Sequence, residues 1–370
     1  MSKVITKIIL ILICFLILGS FILPKAIHAD TGYELSHSYA PEKTAVFFDG
    51  KIKILKHKAY LANNDQVYIP VKLLSNLEKV NVSYKNGTLL IDSPKGNFKL
   101  NKTKYQIYEN VSYINTKQFL TITGYKAKYI EKASTIFIWS NTEGFDKSNV
   151  MINKLNKVPD DVVWYMGEKV FVYKGNKVGW IIDMEYSGYD LIDVTILLND
   201  GKTLNETIYD SDPSGFCLYF QYKTVKTGFK NKYYWANLSL PYSNPLNNIE
   251  KVYFMSVDVR DENIVIQAKR TSGKMVTFKL PVSGYPSAPI HDGFYTTDPK
   301  KTHPDWSQNV WNNIVKQKIS IGMNKDQVLM SWGGPNDINS YTSSNLHMEQ
   351  WVYDNSYIYF YDGILKSWSN

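Results

Sequence analysis

The sequence predicts a strand-rich, multidomain α+β protein, on three observations. Aromatic residues make up 14% of the chain, with 28 tyrosines, a bias that suits pleated, half-buried surfaces. Short alternating apolar runs recur between Asn-Gly, Asp-Gly and Pro-Ser-Gly turn signals. The 370 residues are enough for two or three domains of roughly 100–200 residues each. In chain order the expectation is an export segment over 1–29 and a linker over 30–45. A duplicated helix-plus-hairpin unit follows over 46–140, then an antiparallel β domain over 157–285. A C-terminal domain over 290–370 has two helices and then three strands (ααβββ). The apolar share of 44% and charged share of 21% exclude a wholly disordered chain.

The first element is an address. Lys3 and Lys7 precede an apolar run from Ile8 to Leu23, ended by Pro24 and followed by Ala26-Ile27-His28-Ala29. A basic start, a short apolar core and a small residue at the exit predict a secretory signal cut after Ala29. The run falls short of the ~20 residues that span a bilayer. Membrane attachment is therefore expected only if that segment stays uncleaved. Cys14 lies inside the run without the small residues that mark a lipid-bearing cysteine. Two cysteines in all exclude a disulfide framework and a Cys-based zinc site. An exported chain without disulfides points to bacterial export.

The formal charge is +8, and cleavage after Ala29 removes three lysines. Only Arg260 and Arg270 are arginines. This basic balance admits attraction to anionic wall polymers; it is too diffuse to argue for nucleic-acid readout.

Residues 46–140 contain an internal repeat. Gln66-Val67-Tyr68-Ile69-Pro70-Val71-Lys72-Leu73-Leu74 leads to Val80-Asn81-Val82-Ser83-Tyr84 and Leu89-Leu90-Ile91. Farther on, Val111-Ser112-Tyr113-Ile114-Asn115-Thr116-Lys117-Gln118-Phe119-Leu120 leads to Tyr125-Lys126-Ala127-Lys128-Tyr129 and Ile136-Phe137-Ile138. Each copy predicts an extended entry, a short helix (Val71 to Leu77; Thr116 to Thr123) and a hairpin, with Asn86-Gly87 as a primed turn. The pattern resembles the stalk domain family, named for its likeness to the N-terminal domain of copper amine oxidases. Ile69-Pro70-Val71-Lys72 and Gly124-Tyr125-Lys126-Ala127-Lys128-Tyr129 carry the likeness. Asn115 replaces the Pro in the second copy, and Lys79 replaces the Gly in the first. The resemblance implies a spacer or adhesion module of bacterial envelope proteins. It implies no oxidase chemistry, because copper oxidation needs clustered imidazoles. His28, His37, His57, His291, His303 and His347 are scattered, and no cofactor or metal is expected.

Residues 157–285 predict short strands and resemble no family. The runs are Val163-Trp164-Tyr165, Lys169 to Tyr173, Val178 to Glu185, Leu191 to Leu198, Cys217 to Tyr222, Tyr233 to Leu240, Lys251 to Val259, Ile264 to Arg270 and Met275 to Leu280. Acid groups there invite a hydrolase or calcium reading: Asp190 with Asp193, Asp210 with Asp212, and Asp258 with Asp261 and Glu262. Turn chemistry explains Asp210 and Asp212 more simply, and no loop carries a full calcium ligand set. Cys217 sits in an apolar run and is expected in the core.

At the C-terminal end, Trp306, Val310, Trp311, Ile314 and Val315 recur at helical spacing. A second helix is expected from Asn324, with Gln327 as capping-box partner and Gly333-Gly334-Pro335 as its stop. Strands then run over His347 to Tyr353, Tyr357 to Tyr361 and Ile364 to Trp368. This order, with Ile321-Gly322-Met323-Asn324 and Ser331-Trp332-Gly333-Gly334-Pro335, resembles the small α+β fold of outer-membrane assembly lipoproteins and beta-lactamase inhibitor proteins. The resemblance implies protein binding. Trp332, Trp351 and Trp368 could form a sugar-stacking shelf, but filling the sheet–helix interface is the expectation. The functional expectation is a secreted or wall-associated, non-catalytic envelope protein with no assignable catalytic residue. Its spacer module carries an interaction domain for another envelope or cell-wall protein. The rivals are wall-glycan or anionic-polymer binding and a hydrolase within 157–285.

Overall fold

The computed structural model describes residues 42–63, 65–209, 213–237, 245–282, 285–343 and 346–369. The expected export segment 1–29, Cys14, His28, His37, Asp210, Asp212 and most of the expected linker lie outside the described residues. The chain is a strand-rich α+β protein with several antiparallel sheets, and its contacts divide it into two compact units.

The first unit takes residues up to Thr44 and Ile54–Lys126. Strand β1 (Glu42–Phe48) begins inside the segment expected as linker, and its Glu42–Thr44 pair with β3 (Ala59–Leu61). A two-residue β2 (Lys51–Ile52) lies between them in sequence. Strand β4 (Val67–Pro70) enters α1 (Val71–Leu74), which stops short of the expected Leu77. A separate sheet follows: β5 (Asn81–Lys85), β6 (Thr88–Ser93) and β7 (Gly96–Leu100). Asn86 and Gly87 join the first two with φ of 47° and 77°, the primed turn that Asn-Gly predicts. Then β8 (Gln106–Tyr108) and β9 (Val111–Asn115) lead into α2 (Thr116–Thr123). Asn115 Oδ1 accepts from the Gln118 amide at 2.8 Å, and Gln118 Oε1 accepts from the Asn115 amide at 3.3 Å. This reciprocal cap satisfies two otherwise orphaned donors. Tyr60, Tyr68, Tyr108 and Tyr113 pack together, with Tyr60 4.8 Å from Tyr113 and 5.4 Å from Tyr68 between ring centroids.

The second unit holds residues 45–53 and 127–370, so the boundary runs through the segment expected as the second helix-plus-hairpin copy. Strands β10 (Lys126–Ile130) and β11 (Thr135–Trp139) lie where its hairpin is expected, and Ala45–Phe48 of β1 pair in parallel with β11. Helix α3 (Thr142–Leu155) follows, capped by Asn141. Its buried Ser148, Met151, Ile152 and Leu155 recur at i, i+3, i+4 and i+7, the periodicity of a one-sided helix. That helix has no counterpart among the sequence expectations.

A five-stranded sheet then forms from β12 (Lys169–Val172), β13 (Lys177–Gly188), β14 (Leu191–Leu198), β15 (Thr203–Tyr209) and β16 (Phe216–Leu218), in the order β15-β14-β13-β12-β16. Three expectations are corrected here. Val163–Tyr165 is a 3-10 turn. β15 is an additional strand. The expected strand from Cys217 to Tyr222 stops at Leu218 and becomes α4 (Tyr219–Gly228). Gln221 Oε1 accepts the Leu218 amide at 3.0 Å, and Tyr222 stacks on Phe171 at 4.0 Å. Tertiary packing overrides the β propensity of the aromatic run.

The next sheet comprises β17 (Lys232–Ala236), β18 (Lys251–Arg260), β19 (Asn263–Arg270), β20 (Met275–Pro281), the short α5 (Ala288–Gly293) leading into β21 (Phe294–Tyr295), and the order β20-β19-β18-β17-β21. Its core gathers Phe254, Phe278, Phe294, Tyr234 and Val225.

The chain closes with α6 (Pro299–Thr302), α7 (Gln308–Val315), α8 (Lys325–Trp332) and a four-stranded antiparallel sheet in chain order: β22 (Asp337–Ser343), β23 (Leu346–Tyr353), β24 (Ser356–Tyr361) and β25 (Ile364–Ser369). The expected three strands become four. β22 is an edge strand with the polar run Asn339-Ser340 and Thr342-Ser343, which carries no apolar alternation. Asn324 caps α8 as expected: its Oδ1 accepts from the Gln327 amide at 2.9 Å, and Gln327 Oε1 accepts from the Asn324 amide at 3.0 Å.

One short segment ties this C-terminal module to the preceding sheet. Asn248, 1% exposed, donates from Nδ2 to the Ile314 carbonyl at 3.0 Å and the Met330 carbonyl at 2.9 Å. These oxygens belong to the last turns of α7 and α8, where carbonyls lack helical partners. Ile249 next to it has φ of +61°, a costly conformation for a β-branched residue. Its side chain is buried in the cluster of Trp306, Trp311, Ile314 and Trp351, which offsets that strain.

Candidate functional site

The described acids among those singled out from sequence make the following contacts. Asp258 pairs with Lys226 Nζ at 3.2 Å and with the Arg260 guanidinium at 3.0 Å. Asp261 and Glu262 form the β18–β19 turn with φ of 46° and 62°, and Asp261 Oδ1 accepts from Asn176 Nδ2 at 3.1 Å. Asp193 accepts from Ser187 Oγ and Thr207 Oγ1. Asp190 sits in the β13–β14 turn with φ of 58°. Among the described residues, no three or more of His, Cys, Asp and Glu group so as to hold a metal ion.

The described histidines are also apart. His291 lies edge-on to Phe229 at 5.1 Å, and burial holds its imidazole below the usual value, with Asp292 opposing. His303 stacks on Trp306 at 4.1 Å, and His57 is half-buried. Cys217 is 1% exposed, and burial pushes its thiol up to about 12, far from the thiolate that nucleophilic chemistry needs.

His347 belongs to a connected polar cluster around Glu349. The Glu349 carboxylate accepts from Lys325 Nζ at 2.6 Å and Trp351 Nε1 at 2.9 Å, and meets His347 Nε2 at 2.9 Å. The other imidazole nitrogen lies 2.8 Å from Thr342 Oγ1. Burial alone raises the Glu349 pKa, but the Lys325, His347 and Trp351 contacts outweigh it and hold the carboxyl at about 2, against 4.5 ordinarily. A carboxyl depressed on folding stabilises the fold fully above its unfolded value and stops doing so as pH falls through the folded one. Lys325 and His347 are partly exposed, so screening cuts the contribution to about 1–2 kcal/mol. Glu349→Gln is therefore expected to lower the thermal midpoint at pH 6, and the gap from the parent protein is expected to close between about pH 4.5 and 2.

The three tryptophans do not make an exposed shelf. Trp351 is 3% exposed, and its ring centroid lies 4.6 Å from Phe360. Trp332 is half-buried, donates from Nε1 to the Gln317 carbonyl at 2.9 Å and meets Tyr353 edge-on. Trp368 is exposed near the end of β25.

The register of the C-terminal sheet separates two faces. Trp351, Ile358, Phe360 and Leu365 point toward α7 and α8, in one core with Trp311, Ile314 and Val328. On the opposite face, Met348 stands between Tyr341 and Tyr361, Gln350 between Asn339 and Tyr359, and Val352 beside Tyr357. Tyr341 and Tyr357 are 59% and 45% exposed, and Tyr359, Tyr361, Met348 and Gln350 are half-buried. Asn339 Nδ2 donates to Gln350 Oε1 at 3.1 Å, and Gln350 Nε2 donates to the Tyr359 hydroxyl at 2.9 Å. This ladder crosses three strands and holds the amides and the phenol in fixed positions. The paired rows carry one charged residue, Asp337, opposite Val352. The alternation Tyr357-Ile358-Tyr359-Phe360-Tyr361 is the sequence signal of this face, and the sequence expectations did not single it out.

No family model matches this chain, and no curated protein or solved structure matches it either. No helix among the described residues is long and apolar enough to cross a membrane.

Proposed function

We propose that this is an exported, non-catalytic envelope protein whose C-terminal module docks another protein through the tyrosine face of its four-stranded sheet. In this reading residues 46–140 are a spacer module like the stalk domain. The C-terminal module is a variant, with an extra edge strand, of the small α+β fold shared by outer-membrane assembly lipoproteins and beta-lactamase inhibitor proteins. One observation carries the proposal: a sheet face, not covered by α7 and α8, that bears Tyr341, Tyr357, Tyr359 and Tyr361 around a fixed amide ladder. Tyrosine offers large apolar area with a polar tip at low entropic cost, the chemistry enriched at protein interfaces. A face with so little charge fits a neutral partner surface and predicts binding that salt does not weaken.

The test compares the full chain with a Tyr341→Ser/Tyr359→Ser/Tyr361→Ser variant in capture from an envelope extract at 0.15 M and 1 M salt. Expected is one protein retained at both salt concentrations by the parent chain and lost by at least tenfold in the variant, which still folds by circular dichroism. Equal retention by both chains, or retention of wall glycan alone, contradicts the proposal.

A further inference from the structure

A second candidate site lies in the first compact unit and does not depend on the tyrosine face. Between Ile54 and Lys126 the sequence has eleven lysines and four acids, a formal +7, against +8 for the whole chain. The basic balance of the protein is therefore concentrated in the first compact unit. That unit contains a cleft of about 430 Å³, within the size range of small-molecule sites. Phe98, Leu100 and Ile122 form apolar wall, and Gln106, Lys104 and Lys117 add polar and charged groups. No acid lines it. Lys104 and Lys117 are exposed and make no ion pair with any described residue.

We propose that this cleft binds a phosphate-bearing polyol polymer. The unit has no arginine, since Arg260 and Arg270 are the only ones in the chain. Its cations are therefore all lysine ammoniums, point charges that bind phosphate oxygens without the bidentate geometry an arginine fork imposes. The apolar wall receives the carbon backbone of a polyol unit, and the Gln106 amide reaches its hydroxyls. Charge also extends beyond the cleft to Lys72, Lys79, Lys85, Lys95, Lys99 and Lys102, all exposed. A surface with that spread of charge suits a repeating polyanion better than a single small ion.

The test is fluorescence anisotropy of labelled poly(glycerol phosphate) with the full chain at 50, 100 and 200 mM salt. Expected is binding that weakens steeply with salt, as multiple ion contacts require. Lys104→Gln/Lys117→Gln is expected to weaken it at least tenfold, and the control Lys300→Gln/Lys301→Gln, in the second unit, to stay within twofold. If the double variant fails to fold, lysine acetylation of the parent chain replaces it, and protection of Lys104 and Lys117 by the polymer is expected. Four results overturn the proposal: no binding, equal weakening in the control pair, equal affinity for neutral dextran or hyaluronan, or tighter binding to phosphatidylglycerol vesicles. Because the tyrosine variant leaves this cleft intact, failure here and failure of protein capture are separable.

Discussion

Phe360→Ala is expected to lower the unfolding free energy by about 3–5 kcal/mol, the usual cost of removing a fully buried aromatic ring. Phe360 is 0% exposed and lies 4.6 Å from Trp351 between ring centroids. Its loss would leave a void against Trp351 and the α7–α8 pair that the sheet cannot close without moving strands. Tyr359, the preceding residue, lies on the other face, so Tyr359→Ser is expected to cost less than about 1 kcal/mol. The contrast is read by urea unfolding of the two variants, with near-ultraviolet circular dichroism following the tryptophan environment. Similar losses in both would mean that the two faces are not as distinct as the register makes them.

Asn248→Ala comes second, at about 2–3 kcal/mol. Its amide is the donor shared by the Ile314 and Met330 carbonyls at a buried position. The Ile314 oxygen keeps the Gln317 amide at 3.0 Å, so the Met330 oxygen bears most of the loss. A buried acceptor without a partner costs about 1–3 kcal/mol, and the small void adds to it. Asn248→Asp is expected to be at least as costly, because it sets a carboxylate against carbonyl oxygens. Denaturant unfolding measures both variants. A loss below 0.5 kcal/mol in each would show that the segment 245–250 is not what holds the C-terminal module in place.

The parts legible in sequence were those with local causes. Asn86-Gly87 demands its turn through backbone conformation, and Asn324 with Gln327 demands its helix start through reciprocal hydrogen bonds. Leu191 to Leu198 places Ile192, Val194, Ile196 and Leu198 at period two and forms the strand expected. The misses have nonlocal causes. Tyr219 to Tyr222 has the composition of a strand, yet stacking of Tyr222 on Phe171 makes it the start of α4. β22 is polar because it is an edge strand, so no alternation marks it. For the candidate site, acid pairs attracted attention because spacing along the chain cannot reveal partners such as Lys226 and Arg260 for Asp258. The tyrosine face was written in plain alternation, but which side of a strand faces a helix is decided only when α7 and α8 pack.

Burial and exposure on neighbouring residues are thus the physical basis of the proposed function. Phe360 and Ile358 supply the stability that keeps the sheet rigid. Tyr357, Tyr359 and Tyr361 between them remain available without unfolding anything, and the Asn339–Gln350–Tyr359 ladder limits the entropy lost when a partner orders them.

Hydroxyl-radical footprinting of the full chain, alone and with the protein it captures from envelope extract, tests this most directly, because every tyrosine reports on its own surface. Protection concentrated on Tyr341, Tyr357, Tyr359 and Tyr361 is the predicted result. The same oxidation at those four positions with and without the captured protein, or protection confined to exposed tyrosines elsewhere such as Tyr189 and Tyr233, would contradict it.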